Sequence, residues 1–321
     1  MKKGRLLLIL SCCIALPLNA INYPQIPQQK GLYMTVRKVI IPAAGYGTRF
    51  LPITKSIPKE MLPLLNQPAL QAIIQESIDS EINHFCIVMN DNKPEIKDYF
   101  SSSFAFRSRI QKSGKGDLIA DLESLLTHAQ FTYIKQPEML GLGHAIMMAQ
   151  SEIGKELFGV ILPDMVVFND EPCMKPLVQA AQEHEAIVIA VMEVPMEEIS
   201  SYGCIKIGKK YSDNLMEITD IIEKPKPDQA FSNLAILGRY IFTPAIFDAI
   251  EATAPHASGE IQLTDAIALL ARQGHKVLAY KVTGHIFDLG RPQGWLAANI
   301  FLGLKSPEFG AQIRELITGM L

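Results

Sequence analysis

From Val36 onward the chain repeats one unit: a short, largely apolar run, then a longer stretch with apolar residues at helical spacing. The runs are Val36–Pro42, His84–Asn90, Phe131–Gln136, Phe158–Pro163 and Ala186–Val194. Strands this continuously apolar are buried on both faces, which calls for helices above and below a mostly parallel sheet. The stretches between supply them, with helices predicted at Ala69–Ile82, Lys93–Phe100, 107–129, Gly141–Ile153 and Met174–His184. The expected class is therefore α/β, a doubly wound, Rossmann-like sheet. After Pro195 the rhythm changes. Tyr202–Ile207 and Leu215–Glu223 read as strands separated by turn residues, an antiparallel insertion, with no further strand before a helix at Pro244–Ala252. A helix at Thr264–Gln273, a strand at Lys276–Val282 and helical segments at Pro292–Leu304 and Ala311–Leu316 follow.

The N-terminus stands apart. Lys2, Lys3 and Arg5 precede an apolar run from Leu6 to Leu18, and Leu18-Asn19-Ala20 has the form of a signal-peptidase site. The run is shorter than the roughly 20 residues a membrane span needs. Residues 21–33 are Pro- and Gln-rich without periodicity, and Met34 opens a run that reads as a cytosolic enzyme's first strand. Residues 1–33 are thus a doubtful leader, signal-like or a mis-assigned start, with the second reading preferred. Residues 34–321 form a single domain. A net charge of −3 and the absence of a basic run argue against a nucleic-acid partner. A polyanionic substrate must then be held by a few placed cations. Cys12 and Cys13 lie in the leader and Cys86, Cys173 and Cys204 are scattered, which makes neither a disulfide framework nor a zinc site and agrees with the cytoplasm.

Directly after the first strand comes Ala43-Ala44-Gly45-Tyr46-Gly47-Thr48-Arg49. Glycines at 45 and 47 let backbone N–H groups approach a phosphate or base with no side chain between. Arg49 presents a fixed fork to phosphate oxygens. The loop lacks the third glycine and the later acid of a dinucleotide fingerprint, and it lacks a Walker lysine. An NAD-linked oxidoreductase fits it worst. Leu51-Pro52-Ile53-Thr54-Lys55-Ser56-Ile57-Pro58-Lys59-Glu60-Met61-Leu62-Pro63 follows, and three prolines exclude a regular helix. Arg49, Lys55 and Lys59 are presented from this stiff loop at the strand's carboxyl side, where ligands bind in such sheets. A tight turn with a solvated basic loop is the plainer alternative.

This stretch, A-G-x-G-T-R-x-L-P-x-T-K-x-x-P-K-E-M-L-P, resembles the signature of bacterial UTP–glucose-1-phosphate uridylyltransferases. Gln136 with Gly141-Leu142-Gly143-His144-Ala145, Leu162-Pro163-Asp164, Tyr202-Gly203, Glu223-Lys224-Pro225, Gly238-Arg239-Tyr240 and 259–265 (G-E-I-Q-L-T-D) extend the likeness over residues 36–295. The resemblance implies a nucleotide-diphospho-sugar transferase fold and the transfer of uridylyl from UTP to glucose 1-phosphate. By it, Ala44 and Gly45 meet the uracil, Gln136 and Gly141 complete the base pocket, and Gly47, Thr48 and Glu60 order the nucleotide end. Arg49 and Lys59 hold the triphosphate. Gly203, Glu223 and Lys224 meet glucose 1-phosphate, and Asp164 and Asp288 bind Mg²⁺. The family's homodimers or homotetramers are expected here too.

Elementary chemistry is compatible with these roles without demanding them. A lone carboxylate at the end of an apolar strand is costly unless paired or metal-bound, and Mg²⁺ commonly takes one or two carboxylates plus phosphates and water. An N-cap at Asp164, a turn residue at Asp288 and a surface pair at Lys224 remain alternatives. His144, in the first turn of a helix with no acid placed beside it, is read as structural. The sugar phosphate is already an anionic nucleophile, so no general base is required. The chain departs from the family at Met165, where a second acid is usual, and at Phe287-Asp288-Leu289-Gly290-Arg291-Pro292-Gln293-Gly294-Trp295. Competing readings are a thymidylyltransferase or other sugar-1-phosphate nucleotidyltransferase, and a catalytically silent nucleotide-binding module.

Overall fold

The computed structural model describes residues 35–320, so the signal-like run, Cys12, Cys13 and Met34 lie outside the described residues. Its strands are β1 (Lys38–Pro42), β2 (Pro63–Leu64), β3 (Gln67–Pro68), β4 (His84–Met89), β5 (Gln130–Lys135), β6 (Phe158–Ile161) and β7 (Met165–Phe168). They continue with β8 (Ile187–Glu193), β9 (Gly203–Lys210), β10 (Leu215–Glu223), β11 (Leu234–Phe242), β12 (Val277–Lys281) and β13 (His285–Asp288). The helices are α1 (Ala69–Ile78), α2 (Pro94–Tyr99), α3 (Phe104–Lys112), α4 (Ala120–His128), α5 (Gly141–Met147) and α6 (Gln150–Ile153). After them come α7 (Met174–His184), α8 (Ala245–Ala252), α9 (Leu263–Arg272), α10 (Pro292–Lys305) and α11 (Gly310–Met320).

Nine strands form one sheet in the order β5-β4-β1-β6-β11-β8-β12-β10-β9. Pairing is parallel through β5, β4, β1 and β6, and again between β8 and β12. The neighbours of β11 are both antiparallel to it, so β8 runs the same way as β6. Successive residues point to opposite faces, as strand geometry requires. Val39 and Ile41 pack with Leu70, Ile73 and Leu177 on one face, while Ile40 packs with Ile146, Phe247 and Ile267 on the other. Each fully buried side chain of this size contributes about 1.5–3 kcal/mol. The two-faced apolar core and its helical layers match the doubly wound expectation, with β9 and β10 as the antiparallel insertion.

The differences are local and have causes. Strand β11 is central and buried at every residue, yet no strand was expected there, because Gly238 and Arg239 interrupt its apolar pattern. The helix expected over 107–129 is two, α3 and α4, split at a turn where Gly114 takes φ 71°. Helix α1 stops at Ile78 because the chain turns through Glu81 at φ 65° before entering β4. Gly141–Ile153 is broken into α5 and α6. No helix among the described residues is long and apolar enough to cross a membrane. Cys86, Cys173 and Cys204 are free and buried.

Parallel strands that share a direction also share an end. The segments leaving the carboxyl ends of β1, β4, β5 and β6 therefore gather at one rim of the sheet. They are 43–62, 90–93, 136–140 and 162–164.

Candidate active site

The loop after β1 is built around two glycines with different reasons to be glycine. Gly47 has φ 65°, and a Cβ there would lie 3.1 Å from both Lys59 Cβ and Thr54 Cγ2. Thr54 Oγ1 donates to its carbonyl at 2.9 Å. At Gly45 a Cβ would meet no atom of the chain, so internal packing does not demand the glycine. The backbone on either side is fixed from beneath. Asn90 Nδ2 donates to Ala44 O at 2.7 Å, and Lys93 Nζ donates to Ala43 O at 2.6 Å and to Glu60 Oε2 at 2.8 Å. Glu60 is 1 % exposed, and its Oε1 has no partner among the described residues. Burial pulls the Lys93 ammonium below its ordinary range, more than the Glu60 carboxylate raises it.

Gln136 is buried just past the carboxyl end of β5, where its N–H donates to Met89 O at 2.9 Å. Its Nε2 lies 3.3 Å from Gly141 O and 3.1 Å from His144 Nδ1, so His144 orients the glutamine amide. Gly141 has φ 91°, and a Cβ on it would come within 2.9 Å of Glu260 Cβ. That contact marks a backbone junction. Ile261 N donates to Leu140 O at 2.8 Å and Gly143 N donates to Ile261 O at 2.9 Å.

The charged groups gather around Asp164. Lys59 Nζ donates to Asp164 Oδ2 at 3.0 Å. Burial disfavours the Lys59 charge, but Asp164 and Glu60 outweigh it and hold the ammonium above its ordinary value. Burial likewise disfavours the Asp164 carboxylate, and the Lys59 charge and hydrogen bond win there too, holding it below the usual range. Asp288 is brought alongside by the antiparallel pairing of β13 with β7, which sets it opposite Met165. Leu289 N donates to Asp164 O at 2.6 Å, tying the two segments together. A Cβ on Gly290 would lie 2.9 Å from Asp288 Oδ1, 3.4 Å from Asp164 Oδ2 and 3.4 Å from Arg49 Nη1, which measures how closely these groups converge. Burial and the Asp164 charge push the Asp288 carboxyl up. Arg291 Nε approaches Asp288 Oδ2 at 3.2 Å.

A cavity of about 330 Å³ opens beside these carboxylates, lined among others by Arg49, Asp164, Gly203, Glu223, Lys224 and Asp288. Gly203 and Glu223 are direct partners in the β9–β10 ladder. A side chain at 203 would press on Ile236 Cδ1 and Thr264 Cγ2, each 3.0 Å from the added Cβ. Lys224 follows at φ 44° immediately before Pro225, a conformation strained for any residue with a side chain and more so before proline. It pairs with Glu223 Oε1 at 3.3 Å and is 59 % exposed.

The structure therefore brings Arg49, Lys59, Asp164 and Asp288 together, and places Gly203, Glu223 and Lys224 on the same cavity. Gly141 lines that cavity as well and accepts from Gln136, while Ala44 and Glu60 are tied to the loop after β4 through Asn90 and Lys93. Gly47 and Thr48 shape the loop, Thr48 opening a single 3-10 turn. Lys55 is exposed and does not line the cavity. Sequence reasoning missed Asn90, Lys93, Arg291 and Thr264. Asn90-Asp91-Asn92-Lys93-Pro94, a turn-rich run at the carboxyl end of a parallel strand, was the signal available for the first two. Thr264 lines the cavity with a buried hydroxyl that has no partner among the described residues. Among those residues no three His, Cys, Asp or Glu side chains form a metal-holding group.

Residues 38–303 match the family model described as nucleotidyl transferase. The chain is 41 % identical over 268 residues to a UTP–glucose-1-phosphate uridylyltransferase of Pseudomonas aeruginosa, covering 83 % of this chain and 95 % of that one. Its backbone superposes on a UDP-glucose pyrophosphorylase complexed with UDP-glucose at a TM-score of 0.78 and 37 % identity, over 85 % of this chain and 100 % of that one. The UTP-bound UGPase of Acinetobacter baumannii gives 0.82 at 33 % identity, over 88 % and 99 % respectively.

Proposed function

The chain belongs to the nucleotidyl transferase family, among its UTP–glucose-1-phosphate uridylyltransferases, and on that premise we infer that it transfers uridylyl from UTP to glucose 1-phosphate, releasing pyrophosphate. The observation that carries this reading is the layout of charge. Arg49 and the converging Asp164–Asp288 pair line the same cavity as Glu223 and Lys224, and Lys59 is bound to Asp164. In that layout Gly45 and Gln136 take the base, Arg49 and Lys59 the phosphates of UTP, and Glu223 and Lys224 the hydroxyls and phosphate of the sugar. The oxygen of glucose 1-phosphate attacks the α-phosphorus in line, one P–O bond forming as the bond to pyrophosphate breaks. The nucleophile is already anionic, so the chain's residues need only align the reactants and offset charge.

Asp164 and Asp288 fit a divalent cation, with Mg²⁺ the one proposed. Their two carboxylates converge, and the upward pressure on Asp288 from its neighbour's charge is what a cation between them would relieve. When bound, Mg²⁺ supplies charge neutralisation on the phosphates. Residence in the cytoplasm, where UTP is made, and assembly into a homodimer or homotetramer complete the proposal.

The test is pyrophosphate release with glucose 1-phosphate and Mg²⁺, offering UTP, dTTP, CTP, ATP or GTP in turn, from the full chain and from one starting at Met34. Preference for UTP in both supports the reaction and the 34–321 domain. Preference for dTTP moves the specificity to thymidylyl transfer. Silence with every nucleotide, from folded protein, overturns the enzyme reading.

A further inference from the structure

Arg239 is fully buried in the middle of β11, a strand with no exposed residue. Its Nε and Nη2 donate to the two carboxylate oxygens of Glu76 on α1, at 3.0 and 2.9 Å. Burying such a pair is a poor route to stability, because desolvation consumes most of the attraction, and apolar replacements of equal volume are often no worse. What the pair does with its remaining donors is more telling. Nη2 also donates to Met165 O at 2.8 Å, and Nη1 reaches Leu162 O at 3.3 Å. Leu162 and Met165 bracket the Pro163-Asp164 turn, so one guanidinium grips the backbone on both sides of Asp164.

The neighbouring residue reinforces the grip. Gly238 takes φ 81° at an irregularity in the β11–β8 ladder, and its carbonyl accepts from Leu162 N at 2.9 Å. A Cβ at 238 would lie 3.0 Å from Leu162 Cβ. From the opposite side, Leu289 N and Lys59 Nζ hold the Asp164 carbonyl and carboxylate. We propose that Glu76 and Arg239 are positioning residues that fix the Asp164 turn, so that one carboxylate can hold Lys59 and a divalent cation at once. This rests on the reading of Asp164 as a cation ligand. The fork geometry matters as much as the charge, since a lysine ammonium cannot span a carboxylate on α1 and the two carbonyls that flank the Asp164 turn.

The test uses Arg239→Lys and Glu76→Gln, the second keeping an acceptor in place, with Asp164→Asn as the reference. Three quantities are measured on folded protein: Mn²⁺ affinity with UTP present, by the Mn²⁺ paramagnetic signal; UTP affinity without metal; and the split between kcat and KM for glucose 1-phosphate. Residues that orient metal ligands typically lower metal affinity about 10–100-fold when changed. The expected result is a Mn²⁺ affinity at least ~10-fold weaker and a lower kcat in both variants. The sugar KM should stay unchanged, and metal-free UTP binding, to which Lys59 contributes beside Arg49, should weaken less than Mn²⁺ binding does. Variants that differ from the unaltered protein only in thermal midpoint overturn the proposal and leave the pair a packing feature. If Asp164→Asn itself binds Mn²⁺ normally, it is the reading of Asp164 that fails.

Discussion

Lys224 carries an unusual combination for a surface cation: a left-handed backbone before a proline, an exposed ammonium, and a neighbour, Glu223, fixed in a ladder. That strain is held by the Tyr202 carbonyl, which accepts from Lys224 N at 3.0 Å. Replacing Lys224 by alanine should lower kcat by roughly 100-fold or more, the scale of losing one placed charge at a transferring phosphoryl group. UTP affinity, read by calorimetry, should survive. Asp288 gives a prediction of a different kind. Burial and the adjacent Asp164 raise its carboxyl, so in metal-free protein its contribution to stability is full below the ordinary carboxylate value and is lost as pH rises through the raised one. Asp164 has the opposite sign, contributing above its ordinary value and losing that contribution as pH falls through the depressed one. Asp288→Asn is therefore expected to raise the thermal midpoint of the metal-free protein at neutral pH, with the gain fading in acid, while metal-dependent turnover falls. An unchanged or lower midpoint at neutral pH would contradict this. The glycines and cations of the loop after β1 stood out in the sequence by their own chemistry, whereas Asp164, Glu223, Lys224 and Asp288 were singled out by the family resemblance. Lys93 and Asn90 were legible by neither route, because their work is done on carbonyls of a segment about fifty residues earlier in the chain.

At the scale of elements, the informative cases are those where a segment's local pattern and its place in the fold disagree. The apolar runs of β1, β4, β6 and β8 announce buried strands, and the structure places β4, β1 and β6 side by side, with β8 beyond β11. Strand β11 has the same burial but carries Arg239 at its centre. Periodicity cannot reveal that a guanidinium will be neutralised by Glu76, far away on α1. The start of α5 is a second case. Gly141 reads as an ordinary helix-opening glycine, whereas its φ of 91° and its press against Glu260 come from a loop over a hundred residues later. Gly141→Ala should destabilise the protein by about 1–3 kcal/mol, the range for forcing a methyl group into a packed site, with added strain from the positive φ. It should raise the KM for UTP more than that for glucose 1-phosphate. Denaturant unfolding beside steady-state kinetics checks both, and an unaltered UTP KM would remove Gly141 from the base pocket.

For the whole molecule, the layers followed from the alternation of runs, while the order of strands did not, because pairing partners such as β6 and β11 lie some eighty residues apart. The segment that carries Gln136 and the 259–263 loop come from distant stretches of chain, and the structure laces them together at Ile261. Ile261, in the loop preceding α9, both donates to Leu140 and accepts from Gly143. Those two partners lie in the segment that runs from Gln136 into α5. Glu260 and Gln262, on either side of Ile261, line the cavity on which Glu223 and Lys224 stand. A shift in the 259–263 loop cannot be confined to that cavity, because the same backbone is laced to the residues beside Gln136. Were this scaffold bred toward a bulkier sugar by remodelling that loop, its discrimination among nucleobases would drift with it, and the two preferences would have to be reselected as one trait.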